Sequence, residues 1–230
     1  MPDFSNRISF RVLPGCCLLC GQRSYRPRDI CHRCEQDLPW LKSACARCGG
    51  PVPVRAAVCG NCVKRPPVQD RTRAPFRYAW PLDAIIQRFK FNDDQAAGRM
   101  LGELFAQDLL AKNPLAECVL PVPLHPRRLR ERGFNQSVML AASVASALGL
   151  PVRDDIVERV RETAPQTGMT AIARRRNVRG AFALRDGAVP AHVAILDDVV
   201  TTGSTTAEIA RLLRRAGART VEVWALARAL

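Results

Sequence analysis

Near the C-terminus an aliphatic run, Val193-Ala194-Ile195-Leu196, leads into Asp197-Asp198-Val199-Val200-Thr201-Thr202-Gly203-Ser204-Thr205. An amphipathic helical pattern begins at Ser204 and closes at Gly217. Two adjacent carboxylates can accept hydrogen bonds from vicinal hydroxyls, so Asp197 and Asp198 suit a ribose. Thr201, Thr202, Ser204 and Thr205 add hydroxyls and backbone N–H groups at a helix N-terminus, where orphan donors and the helix dipole favour a phosphate. Gly203 lets the backbone close around the anion. Acidic residues after a strand often only cap the next helix, but this loop carries more donors and acceptors than a cap uses. Neither a G-x-x-x-x-G-K-[ST] loop nor a G-x-G-x-x-G fingerprint is present. The segment therefore predicts a sugar-phosphate site built from Asp197 to Thr205.

A second kind of chemistry lies near the other end. Nine of the ten cysteines fall within residues 16–62. Cys17/Cys20, Cys31/Cys34, Cys45/Cys48 and Cys59/Cys62 are four C-x-x-C knuckles recurring every 14 residues. That pattern predicts two tetrahedral Zn2+ sites with all-sulfur ligation. A disulfide scaffold does not suit a chain read as cytoplasmic. Equal spacing leaves the pairing open between a sequential double ribbon and a cross-brace; local closure favours the ribbon. Cys16 and Cys118 are left over as packing residues, and His32 is read as a non-ligand.

Two basic segments could meet an anion. Arg127, Arg128, Arg130 and Arg132 stand against Glu131 alone, and residues 159–179 hold six arginines against Glu162. Arginine binds phosphate oxygens bidentately, so both segments suit a pyrophosphate or a nucleic-acid backbone as well as a solvated surface.

The elements that must position these groups follow from periodicity. Phe76 to Trp80 reads as a strand, residues 82–111 as helix with a polar interruption around Asn92-Asp93-Asp94, and Cys118 to Val122 as a buried strand. Residues 135–148 read as an Ala-rich helix ending at Gly149. Val193 to Leu196, Ser204 to Ala216 and Val221 to Leu226 make a βαβ unit. The expected fold class is α/β, a doubly wound, mostly parallel sheet preceded by a small cysteine-rich module. The Pro-rich stretch Lys64-Arg65-Pro66-Pro67 sets the expected boundary, giving a zinc module over 1–66 and an α/β domain over 67–230.

The 230 residues are 47% hydrophobic, enough for one sizeable core, and no apolar run reaches the roughly 20 residues of a membrane helix. Phe10 to Leu19, interrupted by Arg11 and Gly15, is too short for a signal peptide, so no membrane insertion and a cytoplasmic location are expected. The formal charge is +14. Two four-thiolate zinc sites, at about −2 each, leave about +10, which still suits anionic partners.

The motifs together resemble the ComF family, whose members join a type I phosphoribosyltransferase fold to an N-terminal cysteine-rich module. Besides the knuckles and Val193–Thr205, the resemblance rests on Phe89-Lys90-Phe91, Leu120–Leu124, Arg130–Gln136, Thr163–Thr167 and Arg174–Asn177. It implies that Asp197 and Asp198, with Val199, Thr201, Thr202, Gly203, Ser204 and Thr205, bind phosphoribosyl pyrophosphate (PRPP) with Mg2+. It implies that Arg127, Arg128 and Arg132 face the pyrophosphate and that residues 159–179 form a closing loop. Asp197, Asp198, Arg132 and Arg161 are then the expected catalytic residues of a pentosyltransferase whose acceptor the sequence does not name. The resemblance also favours the double zinc ribbon, and links the chain to DNA uptake or utilisation. A different class remains beside it: a nucleic-acid-binding accessory protein that holds single-stranded DNA through the zinc module and basic loops, with a non-catalytic PRPP pocket. Protein partners and oligomeric state are not legible.

Overall fold

The computed structural model describes residues 15–91, 94–163 and 169–229. Two short helices, α1 (His32–Gln36) and α2 (Gly60–Lys64), belong to the cysteine-rich region. The sheet begins with β1 (Arg71–Arg73) and β2 (Phe76–Arg77). Helices α3 (Leu82–Phe91) and α4 (Gln95–Ala111) follow, then β3 (Cys118–Pro121), α5 (Pro126–Arg132) and α6 (Gln136–Leu148). The chain continues through β4 (Val157–Arg159), α7 (Ala171–Val178), β5 (Phe182–Leu184), β6 (His192–Val200), α8 (Ser204–Arg215) and β7 (Thr220–Arg228).

The main sheet has the order β1-β7-β6-β3, with β2 also on β7, and every pairing in it is parallel. Strands β4 and β5 form a separate antiparallel pair. Alternation along each central strand sends side chains to opposite faces. Val119, Ala194, Leu196, Trp224 and Leu226 pack with the α3–α4–α6 side, in a core that includes Leu101, Leu104, Phe105 and Leu140. Leu120, Val193, Ile195, Val221 and Val223 pack with Ile209, Ala210 and Leu213 of α8. Helices thus cover both faces, the doubly wound α/β arrangement expected.

Local signals set the boundaries. Asp94 caps α4 by accepting from Ala97 N at 3.0 Å, and Gly149 ends α6 with a left-handed φ of 68°. The break around Asn92-Asp93-Asp94 separates α3 from α4, although residues 92 and 93 lie outside those described. So do residues 10–14 of the apolar N-terminal stretch and 164–167 of the Thr163–Thr167 motif.

Three expectations need correction. Strand β2 stops at Arg77, not Trp80. Residues 159–179 are not one loop, because Ala171–Val178 is helical, capped by Thr170. Strand β6 does not stop at Leu196. The β-branched Val199 and Val200 carry it on, paired with Ala227 and Arg228 of β7.

That overhang makes a cleft. Pairing with β3 ends at Leu196, so Asp197 and Asp198 sit on a strand with a neighbour on one side only. Ligands in open α/β sheets bind beyond the carboxyl ends of the strands, at such openings.

Candidate phosphate site and zinc centres

A cavity of about 520 Å3 opens at the end of β6, lined by Asp197, Asp198, Val199, Thr201, Gly203, Ser204, Thr205 and Thr206. Gly203 has φ +71°, a left-handed conformation that lets the chain turn from strand to helix α8. Ser204 is buried, with its hydroxyl 2.7 Å from that of Thr202. The first turn of α8 opens into the cavity, which suits an anion there.

The aspartate pair is held by a cation that the residue-level reading had left without a role. Lys90, at the end of α3, places Nζ 2.7 Å from Asp198 Oδ2. Asp197 faces the cavity but is surrounded by protein atoms; burial, and then repulsion from Asp198, push its carboxyl up to about 7 against the pull of Lys90. Lys90 itself is held protonated: burial opposes its charge, but the two aspartates outweigh burial. A shared charge balance in a cleft is a common mark of a functional site.

Arginines form the opposite wall. Arg132 lines the cavity, donates to Gln136 Oε1 at 3.1 Å and lies 5.2 Å from the Phe91 ring centroid. Arg128 lines it too, tied to Thr163 O at 3.3 Å. Arg159 also faces in, donates to the Thr163 hydroxyl and stacks 5.5 Å from the Phe182 ring centroid. Its buried Nε has no partner among the described residues. A buried unsatisfied donor is rare enough to call for a ligand or water.

Not every predicted residue reaches the cavity. Arg161 is not among its lining residues; its guanidinium donates to Asn177 O at 3.0 Å and Arg179 O at 2.7 Å. Arg127 pairs with Glu131 and Glu162 instead. Thr202 lines a neighbouring cavity. The residue-level reading also missed Arg159, whose only sequence signal was membership of a basic stretch.

The cysteines gather in two groups of four, Cys17, Cys20, Cys31 and Cys34, then Cys45, Cys48, Cys59 and Cys62. The sequential pairing is therefore the one adopted. Tetrahedral zinc with Zn–S bonds of about 2.3 Å requires sulfurs about 3.8 Å apart. Cys20 and Cys31 Sγ lie 3.9 Å apart, and Cys48 and Cys59 Sγ 3.8 Å. The donor sets fit the metal. Burial opposes the charge of Cys17 and Cys45, but backbone N–H groups outweigh it and bring both to about 6. Both groups are zinc-ribbon sites.

Comparison with known proteins agrees with this geometry. Residues 9–63 match the double zinc ribbon domain, and residues 135–230 match the phosphoribosyl transferase domain. Fold and site define a phosphoribosyltransferase-like α/β protein with a double zinc ribbon. The DNA utilization protein YhgH of Salmonella typhi is 38% identical over 225 residues, covering 95% of this chain and 99% of that one. Competence protein F of Haemophilus influenzae is 38% identical over 175 residues, 73% of this chain and 76% of that one. Competence protein ComFC of Streptococcus pneumoniae is 27% identical over 157 residues, 68% and 67% of the two chains. The chain belongs to this ComF family of competence and DNA utilization proteins. No helix among the described residues is long and apolar enough to cross a membrane.

Proposed function

We propose that the chain binds PRPP with Mg2+ and transfers its phosphoribosyl group. The observation that carries this reading is the Asp197–Asp198 pair on the overhanging end of β6, beside the first turn of α8 and facing Arg128, Arg132 and Arg159. The aspartates bind the ribose hydroxyls, and residues 201–205 cradle the 5′-phosphate. Arg128, Arg132 and Arg159 face the pyrophosphate, where positive charge stabilises a leaving group. Lys90 pairs with Asp198, and through its charge favours the ionised form of Asp197, until the ligand arrives. Arg161 acts from behind, bracing α7 through the carbonyls of Asn177 and Arg179. Mg2+, which keeps much of its shell as water and phosphate oxygens, would find the two aspartates as its protein oxygens and would neutralise the pyrophosphate. Zinc sites built from reduced cysteines support a cytoplasmic location.

The test replaces both carboxylates. Asp197→Asn with Asp198→Asn keeps shape and removes charge; at roughly 1.5–3 kcal/mol per charged hydrogen bond, PRPP affinity should fall more than tenfold. Equal affinity in calorimetry would refute the site. Release of pyrophosphate with a panel of bases, amines and single-stranded DNA then separates a transferase from a sensor.

A second reading, direct contact with single-stranded DNA, is favoured by Arg175 and Arg176, both exposed on α7, and by the names of the relatives. Each phosphate contact contributes about −0.7 to the slope of log K against log salt. An Arg174→Gln, Arg175→Gln, Arg176→Gln variant with an unchanged slope would remove it.

A further inference from the structure

Behind the phosphate loop lies a second cavity, of about 840 Å3, between the exit of the second ribbon, α7 and α8. Six arginines line it, Arg65, Arg175, Arg179, Arg211, Arg215 and Arg228, with Glu208 as the one acidic residue. Glu208 is already engaged: one oxygen accepts from Arg211 at 2.7 Å and the other from Gly180 N at 2.9 Å. Arg228 is spent on backbone carbonyls of Cys48, Val200 and Thr201. Arg65, Arg175, Arg179 and Arg215 make no ion pair among the described residues.

A solvated basic face would normally be convex, with its charges spread. Here they converge. Arg211 and Arg215 stand one turn apart on α8, a like-charge spacing that disfavours the helix. The C-terminal half of α7 and the linker after α2 bring three more arginines to the same concavity. A cleft lined by one sign of charge focuses its potential and concentrates counter-ions. The volume falls within the range of small-molecule sites, about 300–1,000 Å3.

The walls are not all charged. Pro66, Pro67 and Val68 line one side, and Val178 and Leu212 line the α7 and α8 sides. A bare phosphate would leave those surfaces wet. We propose that this cavity is a second ligand site, for a nucleotide whose phosphates meet the arginines and whose ring packs against the proline–valine wall. It has no aspartate pair to hold a ribose, so it is distinct from the first cavity. The two share Val200, Gly203 and Ser204 as a common partition.

The test uses the full chain and ADP as the probe, measured by calorimetry. Arg65→Gln with Arg215→Gln removes charges from opposite walls at exposed positions that no other group needs, so an unchanged melting temperature is expected. ADP affinity should fall by at least about tenfold, as charged hydrogen bonds to phosphate are lost. Asp197→Asn with Asp198→Asn should leave ADP binding intact, whatever becomes of PRPP. ADP binding that survives the arginine changes, or that is lost with the aspartates, places ADP in the first cavity and overturns the proposal. Pyrophosphate binding as tightly as ADP with the same sensitivity denies the ring a role and also overturns it. So does an oligodeoxynucleotide that binds through Arg65 and Arg215 where ADP does not.

Discussion

In the first ribbon, Gly21 follows the knuckle with φ +72°, and nothing lies within 4 Å of where a Cβ would stand. In the second, Gly49 follows its knuckle with φ +69°, and a Cβ would stand 2.9 Å from Thr72 Cγ2. The same local motif is thus free in one ribbon and pressed against strand β1 in the other. The other contacts follow suit. Ion pairs dock the first ribbon on α4: Asp29 pairs with Arg99 at 2.6 Å, Arg28 with Glu103 at 3.2 Å, and the buried Ile30 joins the main core. Backbone groups stitch the second ribbon. Thr72 N donates to Ala46 O at 2.8 Å, the Thr72 hydroxyl to Arg47 O at 2.8 Å, and Arg228 Nε to Cys48 O at 2.9 Å. Through Nη1, Arg228 also holds the carbonyls of Val200 and Thr201, at the foot of the phosphate loop. Metal spacing makes both ribbons alike; the surroundings make only the second part of the frame of the loop.

The largest contrast should come from the ligands themselves. Structural zinc in small ribbons is worth on the order of 10 kcal/mol to the fold it closes. Cys31→Ser with Cys34→Ser, or Cys59→Ser with Cys62→Ser, should each lower zinc from two per chain to one by elemental analysis. PRPP affinity, read by calorimetry, should fall more than tenfold only in the second variant. Equal losses from both would erase the distinction.

Arg228 is the next point of leverage. It is half-buried, and its charge is opposed by desolvation and favoured by the nearby cysteines. Arg228→Met keeps the stem but takes a donor from the carbonyls of Cys48, Val200, Thr201 and Ala229, of which Val200 O keeps its bond from Ala229 N; this should cost roughly 2–4 kcal/mol in urea unfolding. PRPP affinity should drop alongside. A stable Arg228→Met protein with normal affinity would show that the second ribbon frames nothing.

Much of this was legible in the sequence, for physical reasons. The C-x-x-C period needed no tertiary information, since each knuckle is a local turn. The Asp197–Thr205 loop stood out because acceptors, glycine and hydroxyls were contiguous. What escaped was assembled across distance. Lys90 reaches Asp198 from a helix 108 residues earlier in the chain. Arg159 and Arg161 are two residues apart in the same basic stretch, yet β4 directs the first into the cavity while the second turns to α7. Residues two apart on a strand share a face, but β4 ends at Arg159, so Arg161 has left the strand and the neighbouring carbonyls of Asn177 and Arg179 decide its direction. The extension of β6 through the aspartates was missed because carboxylates read as a strand end, whereas pairing with β7 overrode that preference.

The two glycines offer a smaller and cleaner test. Gly21→Ala forces a left-handed alanine into open space and should cost about 1 kcal/mol. Gly49→Ala adds overlap with Thr72 and should cost about 1–3 kcal/mol more. Thr72→Ser in the Gly49→Ala background removes the clashing methyl and keeps the hydroxyl bond to Arg47 O, so it should return part of the loss in thermal melting.

The smallest effect should appear at the ion pairs of the first ribbon. Glu103 is about one-third exposed, and its partner Arg28 also pairs with Glu35 at 3.4 Å. Burial pushes the Glu103 carboxyl up, and Arg28 does not fully restore it. Between the unfolded value, near 4.5, and its raised folded value, the folded chain therefore holds more proton than the unfolded one. Stability must fall as pH rises through that window. The charged form is not a strong asset, so Glu103→Gln should change stability at pH 7 by less than about 1 kcal/mol, and by less still in 1 M salt. It should also flatten the fall with pH. Urea unfolding at two pH values and two salt concentrations reads all of this. A loss comparable to that of Arg228→Met would mean that the first ribbon is bound by charge as firmly as the second is by backbone hydrogen bonds, and the contrast between them would have to rest on the phosphate loop alone.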